Sequence, residues 1–212
     1  MIGIYTYLYD KTGNPQDSVE GAMRGKIPNF TIRDDAIGKY RVFQSKLAFQ
    51  EWEHTQKIKN NNEVIFGEHP QAARFDIDAP PKINMDTFMP ALIDKICEVA
   101  DFDLGMDITM TDIVILDGSR KTKTSFHVII PKLTMQNHIA ARAFAKEVKD
   151  QLATFEHSKY IDMEVYKRVQ NFRMIGSSKP GEHAPFVITQ EFGTASMSPD
   201  RLFIMTDGAS GE

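Results

Sequence analysis

A chain of 212 residues, 42% hydrophobic and 25% charged, is long enough for one large domain or two small modules sharing a cleft. Its single cysteine, Cys97, excludes an internal disulfide and a cysteine-based zinc site, and no apolar run reaches membrane-spanning length. The net charge of −4 argues against a simple basic nucleic-acid binder, but residues 119–132 and 165–181 each hold four cations and no acid, whereas residues 94–117 hold seven acids and one cation.

Residues 1–5 lack the basic-then-apolar pattern of a secretory signal, so an intracellular location is expected. Residues 1–33 read weakly, as an apolar start and a loop through Gly13, Asn14, Pro15, Pro28 and Asn29. Val42, Phe43, Leu47, Ala48 and Trp52 are spaced for one helix face, which predicts a helix over 38–57. After the polar break at 60–62, Val64, Ile65 and Phe66 predict a short strand, and residues 72–78 a second one stopped by Pro80 and Pro81. Phe88, Leu92, Ile93, Ile96, Val99 and Ala100 predict a helix over 85–101, capped by Asn84 or Asp86. Strands over 112–116 and 125–130 follow, the latter ended by Pro131. Ile139, Phe144, Val148 and Leu152 form the apolar stripe of a helix over 135–155, capped by Thr134. A last strand is expected at 160–166 or at 172–176. From residue 72 the order is strand, helix, strand, strand, helix, strand, the βαββαβ order of the ferredoxin-like, RNA-recognition-type α+β fold. Residues 207–212 read as a solvated end or the start of a linker, so the chain is expected to be the front part of something longer.

Three short stretches carry the chemistry. Asp76 and Asp78 stand two apart on the first strand of that order, so they share a face. Ser125 and His127 do the same on the third strand, which is adjacent to the first in a βαββαβ sheet. Asp162 is expected from the fourth strand or its approach. Three carboxylates can bridge two Mg²⁺ or Mn²⁺ ions about 4 Å apart, which activate an attacking hydroxyl and stabilise leaving pyrophosphate. His127 suits a phosphate better than a hard metal, with Ser125 as a donor beside it. Lys123, Arg173 and Lys179 supply charge for a triphosphate, Arg173 through a bidentate fork.

These motifs resemble the catalytic domain of the archaeo-eukaryotic primase superfamily, most closely its primase-polymerase branch. The D-x-D pair, S-x-H at Ser125 and His127, and Ile161-Asp162 match the three family motifs. Lys123 matches too. The tract from Asp162 through Tyr166, Asn171, Phe172 and Arg173 to Ser177, Ser178 and Lys179 is the most specific part. Close relatives carry D-x-E in the first motif, and an arginine at the position of Gln170. The resemblance implies an N-terminal αβ module over 1–70 packed on an RNA-recognition-like catalytic module over 71–180, followed by a segment over 181–212. It implies metal ions on Asp76, Asp78 and Asp162, and an incoming nucleotide on Lys123, Ser125, His127, Arg173 and Lys179. The expected activity is primer synthesis or extension on single-stranded DNA from NTPs or dNTPs. The expected partners are a template, a primer strand and a fused or associated helicase, in a viral or mobile-element setting, with no membrane. Two rival readings of the same residues are a non-catalytic single-strand-binding module and a two-metal nuclease.

Overall fold

The computed structural model describes residues 3–5, 30–192 and 202–206. The loop expected through Gly13 to Asn29 and the solvated end at 207–212 lie outside the described residues. Among the described residues, two antiparallel sheets and three helices make up a mixed α+β fold.

The first sheet contains β1 (Gly3–Tyr5), β2 (Phe30–Asp34), β3 (Lys39–Phe43), β4 (Asn61–Phe66) and β8 (Val169–Arg173), in the order β1-β3-β2-β4-β8. Between β3 and β4 runs helix α1 (Lys46–His54). The single helix predicted over 38–57 is therefore a strand followed by a shorter helix. The turn between β2 and β3 places Gly38 at φ 63°, which ends any helical course there. Ser45, whose side chain accepts from the Ala48 amide at 3.1 Å, starts the helix afresh. Tyr40, Val42 and Phe43, with aromatic and β-branched side chains, then fill the strand.

The second sheet has the order β5-β7-β6-β9: β5 (Gln71–Ala79), β6 (Val114–Asp117), β7 (Thr124–Met135) and the two-residue β9 (Val187–Ile188). Helix α2 (Phe88–Leu104) joins β5 to β6, and α3 (His138–Gln151) follows β7. Both helices pack on one side of this sheet. There Phe75 and Ile77 of β5 join Phe88, Leu92 and Ile96 of α2 and Phe144 and Val148 of α3 in the largest apolar cluster. Burying each such side chain contributes ~1.5–3 kcal/mol.

Several boundaries differ from expectation for local reasons. β7 does not stop at Pro131. Its register on β5 shifts between Ala72, opposite Thr134, and Ala73, opposite Ile130, so Pro131 falls in a bulge where its missing N–H costs no ladder bond. The cap of α3 is Asn137, accepting from the Ala140 amide at 3.0 Å, rather than Thr134. Ile139, placed on the apolar stripe by periodicity, is 67% exposed, while Ala141 and Ala145 take its place in the core. The residue preceding α2 is Thr87, and Asn84 instead accepts from the Asp86 amide.

The largest difference concerns the last strand. Residues 169–173 pair with β4 of the first sheet, Phe172 opposite Glu63 and Arg173 opposite Asn62. Where a fourth strand was expected beside β5, isolated bridges join Ile161 to Ile77 and Met205 to Gln71, and the Asp162 amide donates to Asp76 O at 2.8 Å. The Asp162 carboxylate accepts from the Glu164 amide at 2.8 Å and opens the 3₁₀ turn Met163–Val165, so extended backbone ends after one bridge.

Candidate active site

Strand alternation places Arg74, Asp76 and Asp78 on the face of β5 turned away from the helices. On β7, His127 lies directly opposite Asp76 and Ser125 directly opposite Asp78. The Ser125 hydroxyl donates to Asp78 Oδ1 at 2.8 Å, and the Lys123 ammonium pairs with Asp78 Oδ2. His127 Nε2 stands 3.7 Å from Asp76 Oδ1, too far for a hydrogen bond. Asp76 Oδ1 is buried and has no hydrogen-bond partner among the described residues. Burial, then the nearby charges of Asp78 and Asp162, push the Asp76 carboxyl up to about 7, against the pull of Lys123 and Arg173.

His127 is clamped between two aromatic rings. Phe172 of β8 stacks on one face, with centroids 4.0 Å apart, and Phe186 on the other at 3.9 Å. Gly118 makes room for this clamp: a Cβ there would lie 2.6 Å from the Phe186 ring. Burial, followed by the charges of Arg173, Lys123 and Arg74, holds His127 well below its ordinary pKa, so the ring is neutral at pH 7. Its Nδ1 is buried without a hydrogen-bond partner among the described residues.

Asp76, Asp78, Gly118, Lys123, Ser125, His127 and Phe186 line a cleft that opens to solvent. Lys179, Arg173 and Arg120 line it as well, with Glu182 paired to Arg120 at 3.0 Å. Seven of the eight predicted site residues thus surround one cavity. The eighth, Asp162, lies on the other edge of β5: its backbone bonds Asp76 and its charge is felt there, but it does not line the cleft.

A family model described as the C962R protein N-terminal AEP (archaeo-eukaryotic primase) domain matches residues 74–192, more than half of the chain. The chain belongs to the archaeo-eukaryotic primase superfamily. Proteins of African swine fever virus named as helicase/primase complex proteins are similar to it. That of a Kenyan pig isolate is 31% identical over 198 residues, covering 83% of this chain and 19% of the viral protein. That of a Malawian tick isolate is 30% identical over 202 residues, with 83% and 18% covered, and that of the Vero-adapted Badajoz strain is 30% identical over 183 residues, with 72% and 17% covered. The primase-superfamily domain therefore spans less than a fifth of the length of these curated relatives. Among its described residues, no helix is long and apolar enough to cross a membrane.

The donor chemistry of this primase-superfamily site fits divalent cations at Asp76 and Asp78. Both carry hard oxygens on one face, and Asp76 carries a buried oxygen that no donor among the described residues satisfies. Asp162 does not complete a preassembled ligand set: among the described residues, no group of three His, Cys, Asp or Glu side chains stands at metal-holding spacing.

Periodicity and motif spacing missed several groups at this site. Arg74 is fully buried beneath the acids, donating to Gln71 Oε1 at 2.8 Å and Val165 O at 2.9 Å, with its guanidinium over the Tyr166 and Phe172 rings. Burial lowers it to about 10, opposed by Tyr166, Glu63 and Asp76. Glu63 of β4 is buried and accepts from the Ile204 and Met205 amides at 2.8 and 2.6 Å. The alternation of β5 already placed Arg74 on the face of Asp76 and Asp78. For Glu63 and Phe186 no local signal existed.

Proposed function

We propose that this domain catalyses template-directed nucleotidyl transfer, making or extending primers on single-stranded DNA during replication of a viral or mobile-element genome. One observation carries the reading. Two acids and a Ser/His pair face each other residue for residue on adjacent strands, at the wall of a cationic cleft, and one buried carboxylate oxygen there has no donor among the described residues.

Asp76 and Asp78 would hold Mg²⁺ or Mn²⁺; Asp162, which lies outside the cleft with its carboxylate on the Glu164 amide, would become the third carboxylate only by moving when the ions bind. Two such ions, when bound, supply activation of the primer hydroxyl and charge stabilisation on the leaving pyrophosphate. Lys123, Arg173 and Lys179 would take the triphosphate of an NTP or dNTP, with Arg173 presenting a planar fork. Neutral His127, fixed by its two aromatic neighbours, would offer a ring N–H to a phosphate oxygen without adding charge. Ser125 orients Asp78 through its one hydroxyl proton, and would donate to the ligand only by turning that proton away from Asp78. The names of the viral relatives make a helicase the favoured fused or associated partner.

Primer synthesis and primer extension on single-stranded DNA with Mn²⁺ or Mg²⁺ test the reading. Activity is expected in the wild type and lost in the Asp76→Ala/Asp78→Ala double variant. Synthesis that survives that double substitution overturns it. A purely binding module would instead retain single-strand affinity without a Mn²⁺-dependent rise in Tm, and a nuclease would degrade labelled single strands with metal alone.

A further inference from the structure

We propose that Asp35, in the turn after β2, is a positioning residue that aims Arg173 at the triphosphate; this rests on the nucleotidyl-transfer reading above. Asp35 lies outside the span matched by the family model, which begins at residue 74, and it does not line the cleft. It reaches the site through the first sheet.

The register of that sheet sets Arg33 of β2 opposite Asn62 of β4, and Asn62 opposite Arg173 of β8. Directly opposed residues share a face, so the three side chains form one row across three strands. The Asp35 carboxylate collects all three. Its Oδ1 accepts from Arg33 Nε at 2.9 Å, and its Oδ2 from Asn62 Nδ2 at 2.8 Å and Arg173 Nη2 at 3.5 Å. The turn itself is pinned, since the Asp35 amide donates to Asn60 O at 2.9 Å.

Arg173 has a long side chain whose ordering opposes ligand binding. Asp35 holds one guanidinium nitrogen, Nη2, while Arg173 still lines the cleft. The guanidinium is therefore restrained before the ligand arrives. The Asp35 charge is shared with Arg33, so the carboxylate is balanced rather than presented bare to an anion. Asp35 acts on the nucleotide only through Arg173.

A double-mutant cycle on the full chain tests this. Wild type, Asp35→Asn, Arg173→Ala and the double variant are compared for Kd of a fluorescent non-hydrolysable nucleoside triphosphate with Mn²⁺, and for KM and kcat in primer extension. Asp35→Asn is expected to raise Kd and KM ~5- to 10-fold, with kcat within about twofold and the melting transition retained. In the Arg173→Ala background, the same substitution is expected to change Kd less than about twofold. An unchanged or lower Kd in Asp35→Asn, or an equal effect in both backgrounds, overturns the inference. If Asp35→Asn does not fold, Asn62→Ala reads the same hub, with a rise of ~2- to 3-fold that disappears in Arg173→Ala; no rise, or one that persists there, overturns it. A wild type that neither binds nucleotide nor extends primers defeats the parent reading instead.

Discussion

On its helix side, β5 presents Ala73, Phe75 and Ile77 to α2 and α3, all inside one apolar cluster. On its other side, the same nine-residue strand presents Arg74, Asp76 and Asp78, with His127 and Ser125 opposite and Glu63 across in the first sheet. The helix side contains groups whose burial stabilises the fold. The cleft side contains groups whose burial costs stability: a carboxyl pushed up to about 7, an arginine lowered to about 10 and a histidine kept neutral. A two-residue period lets one strand serve both ends, because a side chain on one face barely senses the other. The apolar half holds the acidic half in a geometry that the acids by themselves would not choose.

Breaking the two faces separately sharpens this contrast. The largest effect is expected from Asp76→Ala with Asp78→Ala: primer extension falls at least ~10³-fold, while the metal-free protein melts no lower than wild type, because a largely buried carboxyl and the neighbouring charge that repels it have both been removed. A large drop in Tm would mean that the acids hold the fold together. Phe75→Ala should do the reverse. It is expected to cost ~3–5 kcal/mol in urea unfolding, with nucleotide affinity of the folded fraction unchanged.

Glu63 carries the pH dependence outside the acid pair. Burial pushes it up to about 7 from an ordinary 4.5, opposed by the Ile204 and Met205 amides and by Lys46 and Arg74. Between those values the folded chain holds a proton that the unfolded chain has released. Stability therefore falls as pH rises from 4.5 through 7, by about 3 kcal/mol for a shift of that size. Glu63→Gln should flatten the decline in Tm between pH 5 and 8, leaving the part due to Asp76, whose carboxyl is raised in the same direction. Equal slopes in the two proteins would count against a buried, protonating Glu63. The smallest effect belongs to the helix side: Asn137→Ala removes the α3 cap and should cost ~1 kcal/mol, read from the urea midpoint, with extension activity intact.

Much of the cleft was legible because its motifs ride on local periods. D-x-D and S-x-H each define a strand face without any tertiary information, and the strand, helix, strand, strand, helix order brings those strands together. The amphipathic helices α2 and α3 were legible for the same reason, to within a few residues at their ends. What failed locally was also informative. The apolar spacing in residues 42–52 fits a helix as well as it fits a strand that turns into one, and the interruption comes from Gly38 and Ser45. Periodicity also put Ile139 in the core, where two alanines allow close approach instead.

By itself the sequence determined which residues could act together within a strand or a helix, since side-chain direction there follows from backbone geometry two to four residues away. Tertiary structure decided the rest. It assigned residues 169–173 to the first sheet, slid Phe172 and Phe186 onto either side of His127, buried Glu63 beneath residues 204 and 205, and brought Asp35 within reach of Arg173 across 138 positions of chain. Those are pairings between distant segments. They depend on which strand edges remain free once the local elements have formed, and no period along the chain records that.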